Sequence, residues 1–173
     1  MQPQKYIPVF FLILLVSLTP SGARAESFAE VPEKLQAALF IKILTMSKEM
    51  NNGKELRIHV VNAPDVAAEL RKAVGLKIGK STLTEVNEGP DIPSDAPDAL
   101  YIGNGADLDR MIQYTREKGI LSMTGNPELV EKGVTLGVGV SENKPKILLN
   151  AAASQAENIT WNPALFKISK IYK

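Results

Sequence analysis

The run ELRIHVVN, Glu55 to Asn62, constrains the fold more than any other stretch of the chain. It is rich in β-branched residues and nearly unbroken in apolar character toward its end, which suits a parallel strand covered on both faces. Such a strand needs helices above and below it, and the flanking segments supply them. Upstream, Val31, Leu35, Ala38, Leu39, Ile43 and Met46 recur at three- and four-residue steps and predict a helix over 30–50, closed by Asn51, Asn52 and Gly53. Downstream, APDVAAELRKAVG opens with Pro64 in its first turn and Asp65 at the positive end of the helix dipole.

The alternation continues to the C-terminus. KSTLTEV, 80–86, reads as a second strand, with Ser81, Leu83 and Glu85 on one face and Thr82, Thr84 and Val86 on the other. The stretch 87–98, rich in prolines and acids, reads as a solvated loop. ALYI, 99–102, is a third strand, and a helix follows over 107–118 with Leu108, Met111, Ile112 and Thr115 on one face. GILSMT, 119–124, is a fourth strand, and GNPELVEKG a turn with one helical turn in it. Strands over 134–140 and 146–150 flank SENKP as a hairpin. An Ala-rich helical start at Ala151 precedes a last helix with Asn162 as N-cap, Pro163 at its first position, and Leu165, Ile168 and Ile171 facing inward. Together these predict an α/β domain: a mostly parallel sheet with one antiparallel hairpin and helices on both faces, in three layers α/β/α.

The first 25 residues read as a cleaved signal peptide rather than as fold. Lys5 supplies the positive start, IPVFFLILLVSL the apolar run, and Ala23-Arg24-Ala25 the small residues of a cleavage site. The apolar run falls short of the roughly 20 residues a bilayer span takes. Cleavage after Ala25 leaves 148 of the 173 residues, one domain over 26–173. Lys5 and Arg24 leave with the peptide, so 18 basic residues face 19 acidic ones. With no basic tract, nucleic acid is excluded as a partner. The chain has no cysteine, which removes thiol switches and Cys–metal sites, and nothing in it implies a cofactor.

Three loops share one construction: NAPD (62–65), GNGAD (103–107) and GNPE (125–128). Each follows a strand, carries an Asn, and puts an acid at a helix start. In a doubly wound sheet they meet at the carboxyl ends of the strands, where ligands bind. This makes Asn62, Asn104, Asp107 and Asn126 the candidate ligand-binding residues. Folding alone explains the same features, since Asn caps helices, Gly takes positive φ and acids complement the dipole. Both readings stand. A phosphate cradle is disfavoured: Leu108 occupies the place of the third glycine of G-x-G-x-x-G, and Asp65 and Asp107 would repel the phosphate. A carboxylate metal site can be drawn from Asp65, Asp107 and Glu128, but the spacing does not demand one. The single histidine, His59, lies inside the first strand and reads as a packed residue. Trp161 reads as a staple against the core.

The first helix is apolar over more of its circumference than one buried face uses, because Phe40, Ile41 and Leu44 widen its stripe. It is either sandwiched in the core or keeps a face for a partner, and Phe40, Ile41 and Leu44 are the candidate contact surface.

The long first helix with KLQAALFIKIL, the strand LRIHVV, PDALYIGN, and GILSMTGNPELVEKGVTLGVGVSENKPKILLNAAASQAENITWNPALFKISKIY together resemble the YfiR-like periplasmic proteins. Gly133, Asn150, Ala152 and Leu165 fall where that family's pattern places such residues. The resemblance implies a periplasmic, non-enzymatic regulator, similar to the repressor of an inner-membrane diguanylate cyclase, with consequences for cyclic-di-GMP and biofilm growth. It implies as partners the periplasmic part of an inner-membrane signalling protein and an outer-membrane lipoprotein that captures the regulator. The chain departs from the best-known pattern in lacking cysteines, and in carrying Ile147, Leu148 and Leu149 where many relatives have aromatics. The leading reading is a regulatory module acting by protein contact as a homodimer; the alternative is a small-molecule sensor with its ligand in the crevice.

Overall fold

The structure, a computed structural model, describes residues 27–173. The expected signal peptide and its cleavage site lie outside the described residues. Eight strands form one sheet: β1 (Glu55–Val61), β2 (Lys77–Ile78), β3 (Ser81–Gly89), β4 (Ala99–Ile102), β5 (Leu121–Thr124), β6 (Leu136–Ser141), β7 (Lys144–Asn150) and β8 (Ser169–Tyr172). Their spatial order is β2-β3-β1-β4-β5-β6-β7-β8. The β3-β1-β4-β5-β6 core is parallel, β6 and β7 form the antiparallel hairpin, and β8 runs parallel to β7. The helices are α1 (Glu33–Leu44), α2 (Pro64–Arg71), α3 (Leu108–Lys118), α4 (Pro127–Glu131), α5 (Ala151–Ala156) and α6 (Pro163–Ile168). This is the three-layer α/β/α plan that the alternation predicts.

The direction of the crossovers explains why both faces of β1 are apolar. From β1 the chain crosses through α2 to β3 on one side, and from β4 through α3 to β5 on the other. Right-handed crossovers in opposite directions put their helices on opposite faces. Accordingly Val66, Ala67 and Leu70 of α2 share a core with Leu56, Ile58 and Val60, together with Phe40, Ile43 and Leu44 of α1. Met111 of α3 shares the other core with Val61, Leu100 and Ile102. The period-2 alternation of β1 and β4 distributes their residues between the two layers.

Several boundaries differ from those expected. The first helix ends at Leu44 instead of Met50, because Ser47 bridges to Trp161 and the neighbouring backbone pairs with the C-terminal segment (Lys48 N–H to Thr160 C=O, 2.9 Å; Asn162 N–H to Met46 C=O, 2.8 Å). The alternation assigned to 80–86 breaks at a bulge: Leu56 pairs with Leu83 but Arg57 with Glu85, so Thr84 is extra and Val86, not Glu85, returns to the core. The hairpin turn is tighter than SENKP suggests. Glu142 and Asn143, both at positive φ (52° and 57°), form the two-residue loop that matches strand twist.

The last helix stops at Ile168. The Ser169 hydroxyl donates to Leu165 C=O (2.7 Å), and the chain turns extended into β8, which pairs with Ile147 to Asn150. The short edge strand β2 and this final strand are therefore both elements that the periodicity missed. Leu165 is fully buried as expected and Ile171 half-buried, but Ile168 is 61% exposed at the bend. Trp161 is buried, its indole N–H donating to Ser154 Oγ (2.8 Å). Among the described residues no helix is long and apolar enough to cross a membrane.

Candidate functional site

The crossover from β3 to β4 passes over β1, so strand order reverses between β1 and β4. At such a switch point the loops leaving adjacent strands part to opposite faces and open a crevice at the carboxyl ends. A hollow of ≈ 190 Å³ lies there, and Asn62, Asn104 and Asn126 all line it, with Glu33 at the start of α1 and Glu30 just before it. Three loops far apart in sequence thus converge on one site. Asp107 is not in the lining. Its carboxylate caps α3, accepting from Arg110 N–H (3.3 Å), and that is the folding role of an acid at a helix start.

The floor of the cleft is a buried polar chain. Gln36 donates to Val31 C=O (2.6 Å) and accepts from the Tyr101 hydroxyl (2.8 Å), which in turn accepts from Gly125 N–H (3.0 Å). The edge of Phe40 packs against the Tyr101 ring, with centroids 5.9 Å apart. Burial pushes the Tyr101 phenol far above its ordinary range; the Gly125 N–H opposes this, and the fields of Glu30 and Glu33 add to it. Along the rim, Asn126 Nδ2 donates to Asn104 Oδ1 (2.8 Å) and Asn104 Nδ2 to Glu30 Oε1 (3.3 Å), while Asn126 Oδ1 caps α4 at Glu128 N–H (3.0 Å).

The Gly-Asn-Gly corner is required by the backbone. A Cβ on Gly103 would sit 2.5 Å from the carbonyl oxygen of Asn62 and 2.6 Å from that of Val61, while Gly105 has φ of 77°. Both glycines serve the turn, and only Asn104 between them presents a side chain to the cleft.

The acids at the three helix starts do not assemble. Among the described residues no group of three or more His, Asp or Glu side chains could hold a metal. The 87–98 stretch is pinned rather than loosely solvated. Arg110 Nη1 bonds both oxygens of Asp91 (2.7 and 2.8 Å), and Asp98 accepts from Arg57 N–H (2.8 Å) and pairs with Lys54 (2.6 Å). His59 lies beneath this loop, 7% exposed, with Nε2 3.1 Å from Asp91 C=O and Nδ1 unpartnered. Burial holds its pKa below the ordinary value, against the Asp91 hydrogen bond and the charge of Glu88, so the ring is neutral with its hydrogen on Nε2.

For the proposed contact surface the structure corrects two positions of three. Phe40 and Leu44 are 0% and 1% exposed, sandwiched between α1, α2 and the sheet. The wide apolar stripe is used because α1 packs on α2 as well as on the strands. Only Ile41 reaches the surface, where it lines a shallow apolar groove of ≈ 430 Å³ between α1 and α2 with Ala37, Ala38, Ala73 and Leu76.

Sequence reasoning gave no role to Glu157, yet it is fully buried. Its Oε1 accepts from Thr115 Oγ1 (2.7 Å), and its Oε2 from Ser122 N–H (3.0 Å) and Thr135 Oγ1 (2.6 Å). Burial raises its pKa despite these bonds. The only available signal was an acid just past an Ala-rich helix, which is indistinguishable from a surface residue.

The sequence profile of the YfiR/HmsC-like family matches residues 33–170. A comparison with curated protein sequences gives no match. Among solved structures, a conserved domain protein from Vibrio cholerae O1 biovar eltor is similar, with 15% identity over 82% of this chain and 60% of that one, and a TM-score of 0.55. An ABC domain from Streptococcus pneumonia in complex with L-Trp is similar at 13% identity over 81% and 60%, with a TM-score of 0.51. The chain spans about 60% of each of these relatives, and at such identities they share its fold alone.

Proposed function

The chain belongs to the YfiR/HmsC-like family, and we propose that after export it is a periplasmic regulator that works by contact with the periplasmic part of an inner-membrane signalling protein, a diguanylate cyclase. The observation that carries this reading is the family match over 33–170, nearly the whole described fold. The groove between α1 and α2 is the surface it favours. Leu76, 54% exposed, lines it with Ile41, and Lys34 stands at the rim with Lys72, which is paired to Glu69 of the same groove (2.6 Å). Apolar side chains on the partner would complement such a groove.

Retention of the chain on the immobilised periplasmic part of a membrane diguanylate cyclase from the same organism tests the reading. Ile41→Asp and Leu76→Asp should each weaken retention at least tenfold with the fold intact. Phe40→Ala should instead cost about 3–5 kcal/mol of stability, as a core truncation does. Wild-type chain that does not bind, or binding indifferent to both groove variants, overturns the surface. Sedimentation of the same variants separates a homodimer from a heteromeric contact on this groove.

A second reading has its own support. Asn62, Asn104 and Asn126 converge on the switch-point cleft, as a small-molecule sensor would require. Thermal shifts with small ligands, lost in Asn104→Ala and Asn126→Ala, would support it; shifts unchanged in both would remove these residues from the site.

A further inference from the structure

The chain contains two Asn-Gly pairs, Asn52-Gly53 and Asn104-Gly105, and all four residues are exposed. An asparagine before glycine is open to attack on its own side chain, because no Cβ on the next residue shields that residue's backbone nitrogen from Cγ. Exposure does not separate the two pairs, and neither does the side-chain carbonyl. Asn52 Oδ1 accepts from Lys54 N–H (3.1 Å) and Asn104 Oδ1 from Asn126 Nδ2 (2.8 Å), and either bond would stabilise the oxyanion that attack creates. The attacking nitrogen does separate them. The Gly53 N–H is donated to the hydroxyl of the fully buried Ser81 (3.1 Å), whereas among the described residues the Gly105 N–H donates to nothing. The leaving nitrogen separates them too. Asn104 Nδ2 lies 3.3 Å from Glu30 Oε1, a carboxylate at the atom that must gain a proton to depart.

We propose that Asn104 is a site of self-catalysed deamidation, in which the Gly105 nitrogen attacks and Glu30 relays the proton. The Gly105 nitrogen bonds to Asn104 Cγ and the Cγ–Nδ2 bond breaks. Nδ2 leaves as ammonia with the hydrogen that Gly105 gives up. One water then opens the cyclic imide to aspartate or isoaspartate, so water enters, ammonia leaves and nothing is oxidised or reduced. The product puts a carboxylate beside Glu30 where an amide had donated to it, and repulsion replaces that rim bond. Isoaspartate also lengthens the main chain by one carbon, in a corner where Gly103 leaves no room for a Cβ against Asn62 and Val61. The reaction thus alters the rim of the switch-point cleft once and irreversibly. It needs no ligand there, and is independent of both readings above.

Incubation of the exported chain at pH 8 in water enriched in oxygen-18, followed by tryptic peptide mapping, provides the test, since Asn52 and Asn104 fall in different peptides. Asn104 should convert about tenfold faster than Asn52, taking up one heavy oxygen and appearing as both aspartate and isoaspartate. In concentrated urea the two rates should converge, because both pairs then expose the same Asn-Gly chemistry. Glu30→Gln should slow Asn104 several-fold and leave Asn52 unchanged. Ser81→Ala, which frees the Gly53 N–H, should speed Asn52 alone. Equal rates at the two sites in the folded chain, a faster Asn52, conversion at neither, or a difference that persists in urea would overturn the proposal. A rate at Asn104 that Glu30→Gln leaves unchanged would overturn the relay.

Discussion

Two buried polar clusters sit on opposite faces of the same strands, and they are built to different ends. On the α3 face, Glu157 ties α5 to α3, β5 and the start of β6, and every bond it makes points into protein. On the α1 face, Gln36, Tyr101 and Gly125 make a chain that is equally well paired but forms the floor of an open cleft. The first cluster closes a gap; the second supports a surface. Adjacent residues of β4 and β5 feed them separately, because alternate side chains leave opposite faces: Tyr101 belongs to the α1 core and Leu100 to the α3 core.

Deleting each cluster in turn is the most direct way to break this contrast. Glu157→Ala should cost the more, about 3–5 kcal/mol in denaturant melts. It leaves the Ser122 N–H and the Thr135 hydroxyl buried without acceptors, at about 1–3 kcal/mol each, and opens a cavity besides. Cleft binding should be unaffected. A loss below about 1 kcal/mol would mean that water replaces the carboxylate and that the two clusters are alike.

Tyr101→Phe should cost about 1–3 kcal/mol, since Gln36 Oε1 and Gly125 N–H lose their shared partner. Gln36 and Gly125 border the cleft, so water can restore part of the loss, and the effect should be the smaller of the two.

The sequence was informative about the rim of the cleft and silent about both buried clusters, for a physical reason. Asn62, Asn104 and Asn126 follow strands, and a parallel sheet with crossovers brings strand ends together whatever the details, so the cleft could be read in advance. The tie between Glu157 and Thr115, Ser122 and Thr135 depends on groups 22 to 42 residues away from Glu157 meeting it in one buried pocket, and no period in the sequence encodes that. The same limit explains Ile168 and β8. Leu165 and Ile168 have helical spacing, but pairing with β7 outweighed local propensity from Ser169 onward. Phe40 and Leu44 show the converse: the excess apolar width of α1 was legible, but whether α2 or a partner covers it is a tertiary fact.

Titration sharpens the contrast further. The pKa of Glu157 is raised above its ordinary value of 4.5 by burial. Its folded form therefore holds a proton that the unfolded form has lost, and its contribution to stability is present below the unfolded value and lost as pH rises through the folded one. The neutral acid fits the site, since an Oε1–H can donate to Thr115 Oγ1 while the Thr115 hydrogen goes to Ile112 C=O (3.1 Å). Glu157→Gln reproduces that pattern without a titrating group. It should lose less stability than the wild type as pH rises above the ordinary carboxyl range, flattening that decline in melting temperature. A variant that keeps the wild-type slope would assign the decline to another group.

His59 should give the smallest effect and the opposite sign. Its pKa is lowered from 6.5, so its contribution is present above that value and lost as pH falls through the depressed folded one. Protonation puts a hydrogen on Nδ1, which has no acceptor, beneath a loop held by the Asp91–Arg110 pair. Glu88 partly compensates the charge, Nε2 keeps its bond to Asp91 C=O, and the ring borders a hollow shared with Arg57, Glu85 and Asp95. His59→Gln keeps a donor for Asp91 and removes the titration, so it should leave stability at pH 8 within about 1 kcal/mol and lose less than the wild type as pH falls below 6.5. NMR titration of the wild-type imidazole supplies the direct check. A value above 6.5 would show that Glu88 and its neighbours outweigh burial, and the loop over β1 would then tighten in acid instead of loosening.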